Sequence, residues 1–231
     1  MYLLGHIAIG YLVAWAFARW RKQKLSLWLA FTVGIVPDYD ILFQGLGLVH
    51  HTYIHSLLLW APVAIALVLW KRESLPYVAG ILSHLLIGDF LVSSIPILLP
   101  LSNVSVGLRF GMPSIADAVL EASSFLLMFL LIWRNGDLRR MLSGQRTNLL
   151  MVVPLDSMAS LTWLAAKTPE LEQLVTFGFS RLEIEAISVG QILLMILFIA
   201  SIAFTILKET GLMRRIWIKK NKAWRSKQGF L

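Results

Sequence analysis

The chain contains no cysteine, so it can neither close a disulfide nor offer a thiolate to a metal. Charge is also scarce. Only 15% of its 231 residues are Asp, Glu, Lys or Arg, where a soluble domain carries about 25%. The first residues, Met1-Tyr2-Leu3-Leu4-Gly5-His6, lack a basic leader and a small-residue cleavage site. They are read as a retained helix and not as a signal peptide. No repeat or low-complexity tract stands out, and no histidine follows residue 84. What fills the chain instead is apolar: 58% hydrophobic residues, with a mean hydropathy of +0.73.

Crossing roughly 30 Å of hydrocarbon takes about 20 apolar residues. Residues 3–18, 25–43, 52–70, 75–99, 115–133, 148–166 and 189–207 come close enough to qualify. The expected fold is all-α: a polytopic transmembrane helix bundle of about seven spans with a basic C-terminal tail. The sixth stretch contains Pro154 and Asp156, and the fourth contains Pro96. Basic residues gather at Arg19 to Lys24, at Lys71-Arg72, at Arg134 to Arg146, and in the tail. Lysine and arginine favour the cytoplasmic side. Seven spans with the N-terminus outside put all four groups there, and removing the sixth would separate the last two. The expected location is the plasma or inner membrane, with the C-terminus cytoplasmic. Residues 1–134 form the expected membrane core, 135–207 further spans and an outer loop, and 208–231 an interfacial tail. The tail carries Lys208, Arg214, Arg215, Lys219, Lys220, Lys222, Arg225 and Lys227 against Glu209, with Trp217 and Trp224 interleaved. Basic residues mixed with tryptophan beside a span attract anionic lipid headgroups. Nucleic acid is not an expected partner.

Ionisable residues in membrane-depth sequence are costly, so they usually have a partner and a task. All five histidines, His6, His50, His51, His55 and His84, travel with Asp38, Asp40 and Asp89. Imidazole and carboxylate are ligands of zinc and related divalent metals. Pro37-Asp38-Tyr39-Asp40 carries two carboxylates that a regular helix would point about 200° apart. Pro37 distorts the turn, which lets both approach one cavity; the alternative is a solvated loop after a helix end. In His50-His51-Thr52-Tyr53-Ile54-His55-Ser56, His51 and His55 share a face if the segment is helical. His50 and His55 fit instead if His50 reaches in from a loop. The bland alternative is a set of interfacial histidines. His84 and Asp89 are five apart, and Gly88 permits a bulge that brings Asp89 round; a structural His–Asp pair is the alternative. His6 alone would be a satisfied polar group. Asp117 suits the N-terminal dipole of the fifth span. Glu121 lies deeper and is the better site candidate. Arg109, in the preceding outer loop, is either an anion clamp or a surface charge.

In this order, Gly5-His6, Pro37-Asp38-Tyr39-Asp40, His50-x4-His55-Ser56 and Ser83-His84…Asp89 resemble the YdjM-type family of predicted membrane-bound metal-dependent hydrolases. The resemblance covers roughly residues 1–101. It implies His6, Asp38, Asp40, His50, His55, His84 and Asp89 as metal ligands. His51 stands where the family commonly has Arg, and Ile54 where it has Thr. The His84–Asp89 gap is one residue longer than the family pattern.

The expected activity is hydrolysis of an ester or phosphoester of a lipid or lipid-linked substrate at the outer membrane face. A divalent metal, zinc with manganese or iron as alternatives, supports it. Asp40 or Asp89 would bridge metals or act as general base, with Glu121 in reserve. The rival is a metal-binding or transport membrane protein without catalysis. Few polar residues lead inward from the motifs; Gln23, Glu73 and Ser74 stand at the inner mouths.

Overall fold

A computed structural model describes residues 1–47, 50, 52–111, 114–165 and 178–212. His51, Pro113, Ala166 and the tail beyond residue 212 lie outside the described residues. Among the described residues the regular structure is helical, and a lone antiparallel bridge joins Ile95 to Val106. The elements are α1 (Leu3–Trp20), α2 (Leu27–Thr32), α3 (Leu57–Trp70), α4 (Leu75–Ser83), α5 (Phe90–Val92), α6 (Ile115–Arg134), α7 (Asp137–Met141), α8 (Val152–Ala165) and α9 (Gly178–Glu209). A π-helical turn, His84–Asp89, joins α4 to α5.

Among the described residues, four helical stretches are long and apolar enough to cross a membrane: Leu3–Trp20, Arg72–Val92, Ile115–Arg134 and Glu185–Glu209. The two expected spans between the first and second of these take another form. Residues 25–43 begin as α2, then tighten into 3-10 turns at Val33–Ile35 and Pro37–Leu46. Pro37 has no N–H for an α-helical bond, and 3-10 geometry rarely runs long. Residues 52–70 become a 3-10 turn at Tyr53–His55 followed by α3. α3 has 14 residues, roughly 21 Å at about 1.5 Å each, short of the hydrocarbon thickness. The fourth expected span also ends early, at Val92 and not at residue 99. There the amides of Leu108, Phe110 and Gly111 donate to the carbonyls of Phe90, Leu91 and Val92. The loop thereby covers carbonyls that a helix end leaves unpaired. The sixth expected span is helical from a 3-10 turn, Arg146–Met151, through α8. Pro154 falls in the first turn of α8, where its missing N–H costs nothing.

α1 is the central strut. Of its window, 56% is buried, against 28% for the spans of α6 and α9. It packs on α2, α4 and α6. Ile7, Ala8, Tyr11 and Ala14 meet Phe31, Ile35, Met128, Ile132 and Phe198 in one core. Small residues set the closest approach. A Cβ on Gly10 would lie 2.5 Å from the Gly34 Cα, and one on Gly34 would collide with the His6 carbonyl. Helices in a bilayer gain from such close backbone contact. This seam fixes His6 beside Gly34 and so builds one wall of the site.

Toward its basic end α1 carries a second polar contact. The buried Tyr11 hydroxyl donates to Asp137 Oδ2 at 2.7 Å. Arg140 donates to Asp137 Oδ1 at 2.7 Å and to the Leu25 carbonyl at 2.8 Å. The trio ties α7 to α1 and to the start of α2.

Candidate metal centre

Four chain segments converge near the start of α1. α1 supplies His6, the Pro37–Leu46 turns supply Asp38 and Asp40, and Tyr53–His55 supplies His55. His50 reaches in from the loop between them. The π-turn supplies His84 and Asp89. The extra residue per turn does what the long His84–Asp89 spacing requires: it swings Asp89 onto the face of His84, and His84 Nε2 lies 3.2 Å from Asp89 Oδ2. Gly88 makes room for this. A Cβ there would lie 2.5 Å from His6 Cε1.

His84 is buried, and its Nδ1 donates to the Gly34 carbonyl at 2.7 Å. That bond fixes the tautomer and leaves an Nε2 lone pair facing the centre. His55 Nδ1 lies 3.2 Å from Asp40 Oδ2, an ion-pair contact. The other oxygen of Asp40 bonds His50 Nδ1 at 2.7 Å. One carboxylate therefore steers two imidazoles, and both turn Nε2 toward Asp38, at 3.5 Å for His55 and 3.9 Å for His50.

The innermost donors are His55 Nε2, His84 Nε2, Asp38 Oδ1 and Asp89 Oδ2. The two nitrogens are 3.2 Å apart. His84 lies 3.3 Å from Asp38, and His55 lies 3.5 Å from each of Asp38 and Asp89. With the His84–Asp89 contact, five of the six distances among four donors fall between 3.2 and 3.5 Å. A tetrahedral ion with bonds of about 2.0–2.1 Å spaces its ligands roughly 3.3–3.4 Å apart. The donor set therefore fits a divalent cation in both chemistry and spacing. Around it, His6, His84 and Asp89 form one group whose ligand atoms lie within 4.8 Å of one another, and Asp38, His50 and His55 form another.

All seven ligands that the motifs implied are thus brought together. Glu121 is placed differently. Its carboxylate accepts the Tyr2 N–H at 2.6 Å and lies against Gly5. It sits on the positive end of α1, against Gly5, the residue before His6, and stands in neither donor group. Its contacts tie α6 to the start of α1. Asp117 is buried, and Ser114 caps α6 by accepting the Asp117 N–H at 3.1 Å. Arg109 is exposed, with φ of +54°. The Gly34 carbonyl is a site group that the motif reading missed. A glycine offers no side-chain signal; its place three residues before Pro37 is the sole clue.

A family model described as YdjM inner membrane protein matches residues 1–168. The chain belongs to the YdjM inner membrane protein family. The match passes well beyond the motif region and takes in α6, α7 and α8. No curated protein and no solved structure matches the chain. In this YdjM chain the donors thus stand inside the part that the family shares.

Proposed function

We propose that this protein is a membrane-bound metal-dependent hydrolase acting on an ester or phosphoester of a lipid or lipid-linked substrate. The observation that carries the reading is the convergence of two lone-pair nitrogens and two carboxylate oxygens at tetrahedral spacing inside an apolar bundle. His55, His84, Asp38 and Asp89 would hold the ion, with zinc as the first candidate and manganese or iron as alternatives. A divalent cation there supplies Lewis acidity and lowers the pKa of a water. The chain's own residues do the rest. The Gly34 carbonyl and Asp40 fix the ring tautomers, and the close packing of α1 on Gly34 excludes water from the inner side.

Arg19 lies in the last turn of α1, Arg72 begins the second long stretch, Arg134 ends α6 and Lys208 lies at the end of α9. With these ends cytoplasmic, the N-terminus lies outside and the centre sits in the outer part of the bilayer. α2 and α3 then enter and return as a broken pair meeting at the site, and the helical run through α8 supplies the remaining crossing. That makes seven segments in all. No residue of α3 is buried, and its start lies two residues beyond His55, so the lipid-facing surface begins close to the centre. The enzyme reading is favoured over transport because the next layer inward, Ile7, Phe31 and Ile35, is fully buried and apolar.

The test is turnover of lipid esters and phosphoesters by detergent-purified protein loaded with zinc, manganese or iron, beside His84→Ala. Metal-dependent product formation by the wild type alone supports the reading. Tight metal binding without turnover of any such substrate defeats it in favour of a non-catalytic metal protein.

A further inference from the structure

We propose that the centre holds two divalent ions: one among His6, His84 and Asp89, the other among Asp38, His50 and His55. This rests on the metal-dependent reading above and adds how the site is loaded and when it is competent.

One tetrahedral ion uses four donors, and the innermost four satisfy it. His6 and His50 then have no ligand role, yet both are held as ligands are. The His6 ring is buried and stacks on His84 with centroids 3.8 Å apart. Its Nε2 lies 3.4 Å from Asp89 Oδ1. That is the oxygen which the innermost set leaves unused, since Oδ2 faces His55 and His84. Asp89 thus presents Oδ1 to His6 and Oδ2 to His84, the two imidazoles of the first ion's group. The His6 Nδ1 is buried without a hydrogen-bond partner among the described residues. An outer-shell histidine that merely supports a ligand normally donates its second nitrogen to a fixed acceptor.

On the other side, His50 Nδ1 is anchored to the carboxylate that also faces His55. The shared anchor makes His50 and His55 a matched pair aimed at Asp38, and the His50 and His55 rings meet edge-on with centroids 4.9 Å apart. Asp40 is therefore an orienting residue and not itself a ligand.

The two loadings differ in consequence. A single ion is enclosed by four protein donors, the pattern of a closed structural site. Two ions draw three protein donors each and leave an open position for water or substrate, the pattern of catalytic sites. Occupancy by the second ion thus switches the centre from closed to open.

The test uses the full chain in detergent, stripped by chelator and titrated with Zn²⁺ or Mn²⁺. Elemental analysis after desalting is expected to give two ions per chain for the wild type and one each for His6→Ala and His50→Ala. The double variant, which keeps the innermost four donors, is expected to retain one. The Mn²⁺-loaded wild type is expected to show a spin-coupled paramagnetic signal, a readout that needs no variant to fold. One ion per chain with an uncoupled manganese spectrum would overturn the two-ion proposal and leave the hydrolase reading standing. No bound ion would defeat both. Two ions retained in His6→Ala would overturn the assignment of residues.

Discussion

α1 carries two buried polar clusters little more than a turn apart. Toward its basic end Tyr11 meets Asp137 and Arg140; toward the other, His6 meets His84, His55 and the aspartates. In the first, an acid faces a base, both Asp137 oxygens accept a bond, and Arg140 is shared with a backbone carbonyl. In the second, three carboxylates and four imidazoles crowd together, no lysine or arginine stands among the seven, and two nitrogens face each other at 3.2 Å. Buried charge is tolerated when its partners are complete. The Tyr11 cluster completes itself and serves the fold. The His6 cluster gathers donors with no fixed cation among them, an arrangement that a metal ion from outside would complete.

Removing one partner from each cluster breaks the contrast most sharply. His84→Ala should weaken zinc binding by more than about 100-fold, beyond the roughly 10–100-fold of an outer-shell change; a competition titration with a chelating dye reads it. Saturating metal at about 100 times Kd should stabilise the wild type by roughly 2.7 kcal/mol and should raise the unfolding temperature of His84→Ala by less. Asp137→Ala should do the reverse. Leaving the partly exposed Arg140 without its acid should cost about 2–3 kcal/mol of stability, discounted for that exposure, while metal affinity in the folded fraction stays within twofold. Thermal unfolding and metal titration on the same sample separate the two.

Smaller changes sharpen the comparison. Asp40→Asn keeps the shape but loosens the steering of His50 and His55, and should weaken metal affinity roughly 10–100-fold. If affinity holds, Asp40 does not set those rings. Tyr11→Phe removes one bond from the self-contained cluster and should cost about 1 kcal/mol in thermal unfolding, with no effect on metal content.

The sequence made the working cluster readable and the supporting one obscure, for a physical reason. Histidine and aspartate are conspicuous in apolar surroundings, so all seven residues of the cluster stood out, and the five-residue gap from His84 to Asp89 asked for the π-turn that Gly88 permits. Asp137 lies in a run of arginines and reads as part of a solvated basic stretch; its partner Tyr11 is far away in the chain. The same applies to Glu121, whose burial was foreseen but whose backbone partners, Tyr2 and Gly5, have no side-chain signature. Hydropathy also overstated the second and third spans. It counts apolar residues and is blind to where Pro37 forbids an α-helical bond, so the short α2, the 3-10 turns and the late start of α3 at Leu57 were not legible. The basic ends, by contrast, marked the limits of α1 and α6 closely.

The donors are strung along the chain with His6 first and Asp89 last, and the π-turn that aims the final one continues directly from α4. A nascent polypeptide halfway through insertion therefore has no finished pocket to capture a cation. On the proposed reading, loading would follow assembly, and a retained ion would report that the membrane core has been threaded.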